Sequence, residues 1–484
     1  MLEKQVLNSV GWSTAGVWLR ALLSIVSLVI LARLLEPADY GAFALAYLVV
    51  GAAALLAGGP LAEAIIQKDA RDGEFEQATF WLTVSVGLTS WVVAALTAPV
   101  WASVLRAPAL TQLIPVFGAL SVAVALSALP AAVVMRDLRY DLLNTIEIVA
   151  TAIAACVGIS SAALGAGAWS LVAMEMTYAC GRGLGLWRTS GFSTGLAPLF
   201  ARWPDVWRAN WGSAGAWGLR YAVTQLPRAI IGGMLGATVL GLFVFANRFF
   251  ERVAGLLLQP IGSVALSAVS RAQNDRATLH RLLENGLRLS SMVCAPAFLG
   301  LAAIAPLLIP AAFGDRWTTA VLPTQLLLLI GLRAAIGAFN ISILRGVGKQ
   351  AAPVGLLAFE LIGLALILPF AAPHGLVAAC FGILSVEFAA APLAAALVSR
   401  ATGFSIKAQI LAAGPGLLAA IFMALIVVGL RRGIEDAVNP WVAVLACVIS
   451  GAALYGALIW TSTPSATATV LRYAKSIRSG AAND

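Results

Sequence analysis

Apolar runs of about 20 residues, separated by short polar or charged segments, follow one another along the whole chain. At roughly 1.5 Å per residue such a run spans about 30 Å, the thickness of a hydrocarbon core, so each predicts a membrane-crossing helix. Fourteen runs are present, at approximately 10–33, 41–63, 79–102, 112–135, 143–164, 167–187, 211–233, 238–268, 289–312, 320–344, 353–372, 375–398, 407–430 and 441–462. The expected fold class is an all-α polytopic membrane protein of about 14 transmembrane helices. The run after Met1-Leu-Glu-Lys is too long for a signal-peptide core and lacks a small-residue cleavage site, so it reads as a retained first helix.

The longest polar stretch between the halves is 188–210, with Arg202-Trp-Pro-Asp-Val-Trp-Arg208. It reads as a cytoplasmic linker able to lie as an amphipathic helix on the membrane surface. It divides an N-terminal lobe of six helices, residues 1–187, from a C-terminal lobe of six, residues 211–400, with an added helix pair and a cytoplasmic tail in 401–484. An internal repeat supports the plan. Ser13, Leu19, Arg20, Ile30, Leu35, Gly41, Phe43 and Ala46 recur without a gap, 200 residues on, as Ser213, Leu219, Arg220, Ile230, Leu235, Gly241, Phe243 and Ala246. Such repeats are common in transporters. Leucine and alanine matches mean little in so apolar a chain, whereas a matched intramembrane arginine is informative.

Composition removes the soluble alternative. Hydrophobic residues make up 61% and charged residues 11% of the 484, against roughly 25% charged in a soluble domain. The net charge of +9 does not point to nucleic acid, because its placement follows the membrane. With a cytoplasmic N-terminus, clusters such as Arg136/Arg139, Arg182/Arg188/Arg202/Arg208, Arg271/Arg276/Arg281/Arg288, Arg345/Lys349, Arg400/Lys407 and Arg472/Lys475/Arg478 all fall inside. The outer loops keep Arg33, Arg106, Arg316 and Arg431/Arg432, an inside excess of roughly fourfold. Both termini are therefore expected in the cytoplasm, with the protein in a bacterial inner membrane. Cys156, Cys180, Cys294, Cys380 and Cys447 lie in apolar runs without CxxC spacing and read as small core hydrophobes.

Six arginines interrupt the apolar runs: Arg20, Arg220, Arg228, Arg248, Arg252 and Arg333. Each costs at least about 2.5–3.5 kcal/mol at a helix centre, a penalty that marks function or a buried partner. Arg248 and Arg252 are one turn apart, and Arg220 and Arg228 about two, so each pair shares a face. Guanidinium groups on such stripes suit bidentate pairing with a phosphate or carboxylate. The alternative for each is a structural pairing with a buried acid or a carbonyl. Glu251 is placed to pair with Arg248, and Glu63, Glu175, Glu360 and Glu387 also lie in or near the runs. By this count the interior is left with a cationic surplus. Glu175, Glu360 and Glu387 are the candidates for carrying H+ or Na+ if an ion, rather than the membrane potential, drives transport. Most tryptophans sit near the ends of runs, as an interfacial belt requires, while Trp18 and Trp217 lie nearer the arginines.

Catalytic signatures are weak. Gly346-Val-Gly-Lys349 lacks the glycine spacing, the following Ser or Thr and the preceding strand of a phosphate loop, and Gly181-Arg-Gly-Leu-Gly185 reads as a helix terminus. The two histidines, His280 and His374, fall in predicted loops without metal or triad spacing. No cofactor, no metal, no nucleic acid and no bond chemistry are expected.

Three segments carry a family resemblance: Leu31-Ala-Arg-Leu-Leu-Glu-Pro-Ala-Asp-Tyr-Gly41, Met135-Arg-Asp-Leu-Arg-Tyr140, and Phe313-Gly-Asp-Arg-Trp317 with Ala320-Val321. Over most of its length the chain resembles the polysaccharide or O-antigen flippase branch of the multidrug/oligosaccharidyl-lipid/polysaccharide exporter superfamily. The resemblance implies two lobes whose first, second, seventh and eighth helices border a cationic cavity that opens alternately to either side. It implies an undecaprenyl-pyrophosphate-linked oligosaccharide as substrate, membrane lipids as surroundings, and a polysaccharide polymerase complex as a partner. Arg20, Arg220, Arg228, Arg248 and Arg252 fall on the lining helices, with Arg333 more peripheral. A cation-coupled drug exporter of the same superfamily would favour an acidic cavity. An O-antigen polymerase or lipid-linked glycosyltransferase would carry a large outer loop, whereas here the outer connections are short. A scrambling or purely structural role leaves the buried charge without a purpose.

Overall fold

In hydrocarbon a backbone N–H or C=O finds no partner except another backbone group, so an apolar chain crossing it closes its hydrogen bonds within a helix. The computed structural model describes residues 2–67, 72–195, 200–272, 275–349 and 351–462, and these are helical with no strand among them. The helices are α1 (Leu2–Leu34), α2 (Pro37–Gln67), α3 (Gly73–Val104), α4 (Leu110–Phe117), α5 (Leu120–Arg136), α6 (Tyr140–Ala163) and α7 (Ala168–Thr189). They continue with α8 (Trp203–Ala272), α9 (Arg276–Phe313), α10 (Val321–Gly346), α11 (Ala351–Ala371), α12 (Leu376–Thr402), α13 (Ile406–Ile434) and α14 (Pro440–Ser462). Among the described residues, ten stretches have the length and apolarity to cross a membrane. The protein is a multi-pass membrane protein.

Three expected spans differ in form. The run 112–135 is split into α4 and α5 by a turn at Gly118–Ala119. The carbonyl of Pro115, which Ala119 would bond in a continuous helix, accepts instead from Trp91 Nε1 at 2.7 Å. The Ala119 N–H turns to Val116 at 3.3 Å, one residue tighter, and the helix breaks there. The runs 211–233 and 238–268 are two arms of α8, which bends at Gly236, where φ is 84° and ψ 173°. Only glycine takes that backbone conformation without a Cβ clash.

Several helices also begin before their apolar runs, because polar caps extend them. Asp72 accepts the Phe75 N–H at the start of α3, Asp275 accepts those of Ala277 and Thr278 at the start of α9, and Ser405 accepts that of Ala408 before α13. Periodicity of apolar residues does not register such caps, and α3 and α9 start a turn or more before their runs, α13 a single residue before its own.

The chain forms two compact units. The first comprises the described residues up to Arg248 together with Leu357–Ile383, the second Phe249–Leu356 together with those from Leu384 onward. In the first, α6 packs on α1 and α7, and α2 on α3 and α5. One of its cores joins Leu61, Ile65, Phe75, Phe80, Leu129 and Val133 to Phe192 and Val206 of the polar stretch 188–210. That stretch is helical from Trp203, with Val206 and Asn210 buried and Trp207, Arg208 and Trp211 exposed. Arg202 pairs with Glu74 at 3.1 Å, and the Glu74 hydrogen bond, with Asp72 nearby, holds the guanidinium above its ordinary value. In the second unit α9 packs against α10, α13 and α14. Cys294, Phe298, Ala302 and Leu328 form one core there, and Gly331 lies so close to the Phe298 ring that a Cβ would stand 2.3 Å from it.

Large apolar side chains face outward, among them Leu96 at 76% and Phe370 at 77% exposure. Lipid, not water, suits such a surface. Cys294, Cys380 and Cys447 are buried as expected of small hydrophobes, whereas Cys156 and Cys180 are exposed on the apolar surfaces of α6 and α7. A helix surrounded by lipid has apolar residues outside as well as inside, so an apolar neighbourhood in sequence does not imply burial.

The internal repeat takes physical form in the first unit. A Cβ on Gly41 would stand 1.7 Å from the carbonyl oxygen of Ala237, and one on Gly241 would stand 1.7 Å from that of Pro37. Residues 37 and 237 differ by the same 200 positions as the two glycines, so α2 and the second arm of α8 cross with two-fold related contacts. Phe43 and Phe243, and Ala46 and Ala246, are buried alike. Close backbone approach at small residues is how helices associate without a hydrophobic driving force.

Candidate functional site

Arg20 lies near the middle of α1, in the first unit. Its Nη1 is ion-paired with Glu147 Oε2 on α6. The other oxygen of Glu147 faces Arg182 Nε on α7 at 3.4 Å, and Arg182 Nη1 donates to Ser127 Oγ on α5 at 3.4 Å. Four helices thus contribute to one half-buried polar network of two guanidiniums and one carboxylate. The Arg20 side chain keeps 34% exposure against 15% for Glu147 and 20% for Arg182. The sequence reading missed Glu147, omitting it from the intramembrane acids, and assigned Arg182 to a cytoplasmic cluster, although it sits inside α7. The signal lay in Glu147 falling within the run 143–164, four residues past its start.

Arg220 and Arg228 lie on the first arm of α8 with Tyr221, Thr224 and Gln225 between them. Positions 220, 221, 224, 225 and 228 recur at helical spacing and form one polar face. Arg228 Nη1 donates to Gln225 Oε1 at 3.3 Å, and Tyr221 donates to the Leu48 carbonyl of α2 at 2.7 Å. Arg220, the repeat mate of Arg20, is exposed, and no hydrogen bond or ion pair engages it among the described residues. The arginines of this stripe were legible in the sequence; its neutral hydroxyl and amide members were not singled out, because such residues are common in helices.

On the second arm of α8, the Arg248 guanidinium lies over the rings of Phe43 and Tyr40, 5.1 and 5.9 Å from their centroids. A guanidinium on an aromatic face is stabilised by the ring quadrupole. Arg252 is exposed and, like Glu251, belongs to the second unit. There Arg333 of α10 is ion-paired with Glu387 of α12, each side chain at 18% exposure. A residue expected to bind substrate and one expected to carry an ion are thus each other's partner. Glu175 is half-buried on α7 and Glu360 is buried on α11, both in the first unit. Trp217 is exposed, while the side chains of Trp18 and Glu63 lie outside the described residues. Two of the six arginines, Arg20 and Arg333, have carboxylate partners.

No group of three or more His, Cys, Asp or Glu is placed to hold a metal among the described residues. The site as built is a set of membrane-embedded guanidiniums, partly engaged by carboxylates and aromatic faces. Chemically it can bind an oxyanion and exchange it.

Residues 30–322, well over half of the chain, match the family described as polysaccharide biosynthesis protein. The succinoglycan biosynthesis transport protein ExoT of Rhizobium meliloti is 26% identical over 349 residues, 72% of this chain and 70% of that one. The lipopolysaccharide biosynthesis protein WzxC of Escherichia coli is 23% identical over 351 residues, 69% of each. Among solved structures, the lipid II flippase MurJ in an inward closed conformation superimposes with a TM-score of 0.77 at 12% identity, covering 93% of this chain and 98% of that one. An inward-facing multidrug resistance MATE transporter gives a TM-score of 0.61 at 14% identity, covering 82% and 95%. The fold is shared with these MurJ and MATE structures, and by the match across residues 30–322 the chain belongs to the polysaccharide biosynthesis protein family.

Proposed function

We propose that this protein is a flippase that moves undecaprenyl-pyrophosphate-linked oligosaccharide repeat units across the bacterial inner membrane by alternating access. The observation that carries the reading is the polar face of Arg220, Tyr221, Thr224, Gln225 and Arg228, presented within a stretch apolar enough to cross the bilayer. Guanidiniums at that depth bind the diphosphate, hydroxyl and amide groups meet the sugars, and the polyprenyl tail stays among the lipids. The succinoglycan transport name of one relative, the lipopolysaccharide biosynthesis name of another and membership of a polysaccharide biosynthesis family support the substrate class. No covalent step is needed, so the protein is read as a transporter and not an enzyme.

In this reading both termini are cytoplasmic, about 14 helices cross the membrane, and Arg20, Arg220, Arg228 and Arg248 of the first unit bind the headgroup. Glu175, Glu360 and Glu387 are the carboxylates proposed to couple transport to H+ or Na+, Glu387 through its pairing with Arg333. A polymerase working on the delivered repeat unit is the expected partner. The test is lipid extraction and mass analysis of cells lacking the protein. Accumulated polyprenyl-diphosphate oligosaccharide, cleared by the wild-type gene and not by one carrying Arg220→Ala, supports the reading. Unchanged lipid pools with altered drug sensitivity move the assignment to a drug exporter.

A further inference from the structure

We propose that Glu147 is the built-in competitor of the substrate diphosphate for Arg20, and that Arg182 holds Glu147 in place while Arg20 is engaged by substrate. The inference rests on the diphosphate-binding reading and adds the residue that controls release.

The geometry behind it is the division of the Glu147 carboxylate. One oxygen pairs with Arg20 from α1, the other with Arg182 from α7, and Arg182 is itself tied to Ser127 of α5. A carboxylate with a single arginine partner would be left as an uncompensated buried charge whenever that arginine turned to a ligand, a strongly unfavourable state. Here Arg182 remains as partner, so Arg20 can leave at small penalty. Arg20 is also the most exposed member, and a guanidinium carries five donors of which this pairing engages few. Phosphate and carboxylate oxygens present the same bidentate geometry to it, so one can replace the other. Tyr178 and Glu175 of α7 complete the polar surroundings, since Tyr178 interacts electrostatically with Glu147, Arg20, Arg182 and Glu175.

The arrangement also separates the two repeat mates. Arg220 is exposed and without an acidic partner among the described residues, whereas Arg20 is held by one. Arg220 is therefore the arginine available to capture an incoming diphosphate. Arg20 binds it only by displacing Glu147, and Glu147 returns to displace the diphosphate in turn.

The test measures binding of farnesyl diphosphate by calorimetry to the full-length protein in phosphatidylcholine nanodiscs, beside the thermal midpoint of each variant. Glu147→Gln removes the competitor and is expected to tighten binding by about tenfold, the effect of one charge-assisted hydrogen bond, while slowing transport in cells. Arg182→Gln leaves Glu147 with Arg20 alone and is expected to weaken binding, a change of opposite sign. In an Arg20→Gln background the Glu147→Gln effect is expected to vanish. Binding unchanged in both single variants, with lowered thermal midpoints, would assign the network a structural role and overturn the proposal. Wild-type protein that binds neither farnesyl diphosphate nor inorganic pyrophosphate overturns the diphosphate reading itself; binding of both places recognition in the phosphates, and binding of farnesyl diphosphate alone adds the prenyl tail.

Discussion

Gly41 and Gly241 occupy the same place in two copies of one contact, each against the backbone of the residue four positions before the other, Ala237 and Pro37 respectively. There is no room for a methyl group at either point. Gly41→Ala or Gly241→Ala is expected to push the helices apart and destabilise the first unit by about 1–3 kcal/mol or more. Gly233→Ala, where the surroundings are open, is expected to change little. Thermal unfolding of the purified variants in detergent measures the contrast, and equal midpoints for all three would remove the crossing from the account of the fold.

Arg220 lies exposed with no partner among the described residues, so its side chain contributes little to folding. Arg220→Ala is expected to leave stability within about 0.5 kcal/mol of wild type while reducing transport severely. Membrane abundance and surface polysaccharide, measured in the same cells, separate the two effects. Normal polysaccharide at normal abundance would take Arg220 out of the binding site.

Arg333 and Glu387 have the opposite balance, being largely buried and paired. Removing one partner strands the other, a loss of about 3–5 kcal/mol for a buried pair and somewhat less here, where each keeps 18% exposure. The double replacement Arg333→Met with Glu387→Leu strands neither and is expected to recover most of the loss. A double-mutant cycle on thermal stability gives the coupling directly. Additive single losses would show that the two side chains act independently.

Asp275 caps α9 outside the bilayer, and its hydrogen bonds to Thr278 hold the carboxyl below its ordinary value of 3.8. A depressed folded-state pKa means that the stabilisation is present above the unfolded value and fades as pH falls through the folded one. Protection of the Ala277 and Thr278 amides, taken as their exchange rate relative to an unstructured peptide at the same pH, is therefore expected to hold at neutral pH and to fall only as the pH is taken below that ordinary value. In Asp275→Ala the amides are expected to exchange quickly throughout. A pH-independent difference between the two proteins would assign the cap to geometry alone.

The order and approximate extent of the helices were readable because a membrane helix must be apolar over a length set by bilayer thickness, a property of consecutive residues. The repeat was readable for a related reason: Arg20 and Arg220, or Gly41 and Gly241, stand out against a background of leucine and alanine. The split between α4 and α5 was not. It depends on the Trp91 indole taking the Pro115 carbonyl, a contact from another helix.

Partners of the charged residues were least accessible. In a water-soluble helix the polar face marks the outside and fixes which residues turn inward. A helix with lipid on one side and other helices on the other is apolar on both, so its rotation about its own axis leaves little trace in the pattern. Arg20, Glu147, Arg182 and Ser127 come together from four helices only when all four rotations are set. The same holds for Arg333 and Glu387. Sequence therefore placed Arg20, Arg333 and Glu387 in apolar runs of a membrane protein of transporter-like plan; the packed structure alone brought in Glu147 and Arg182 and decided which carboxylate each of these arginines meets, because that depends on the rotational phase of helices far apart in the chain.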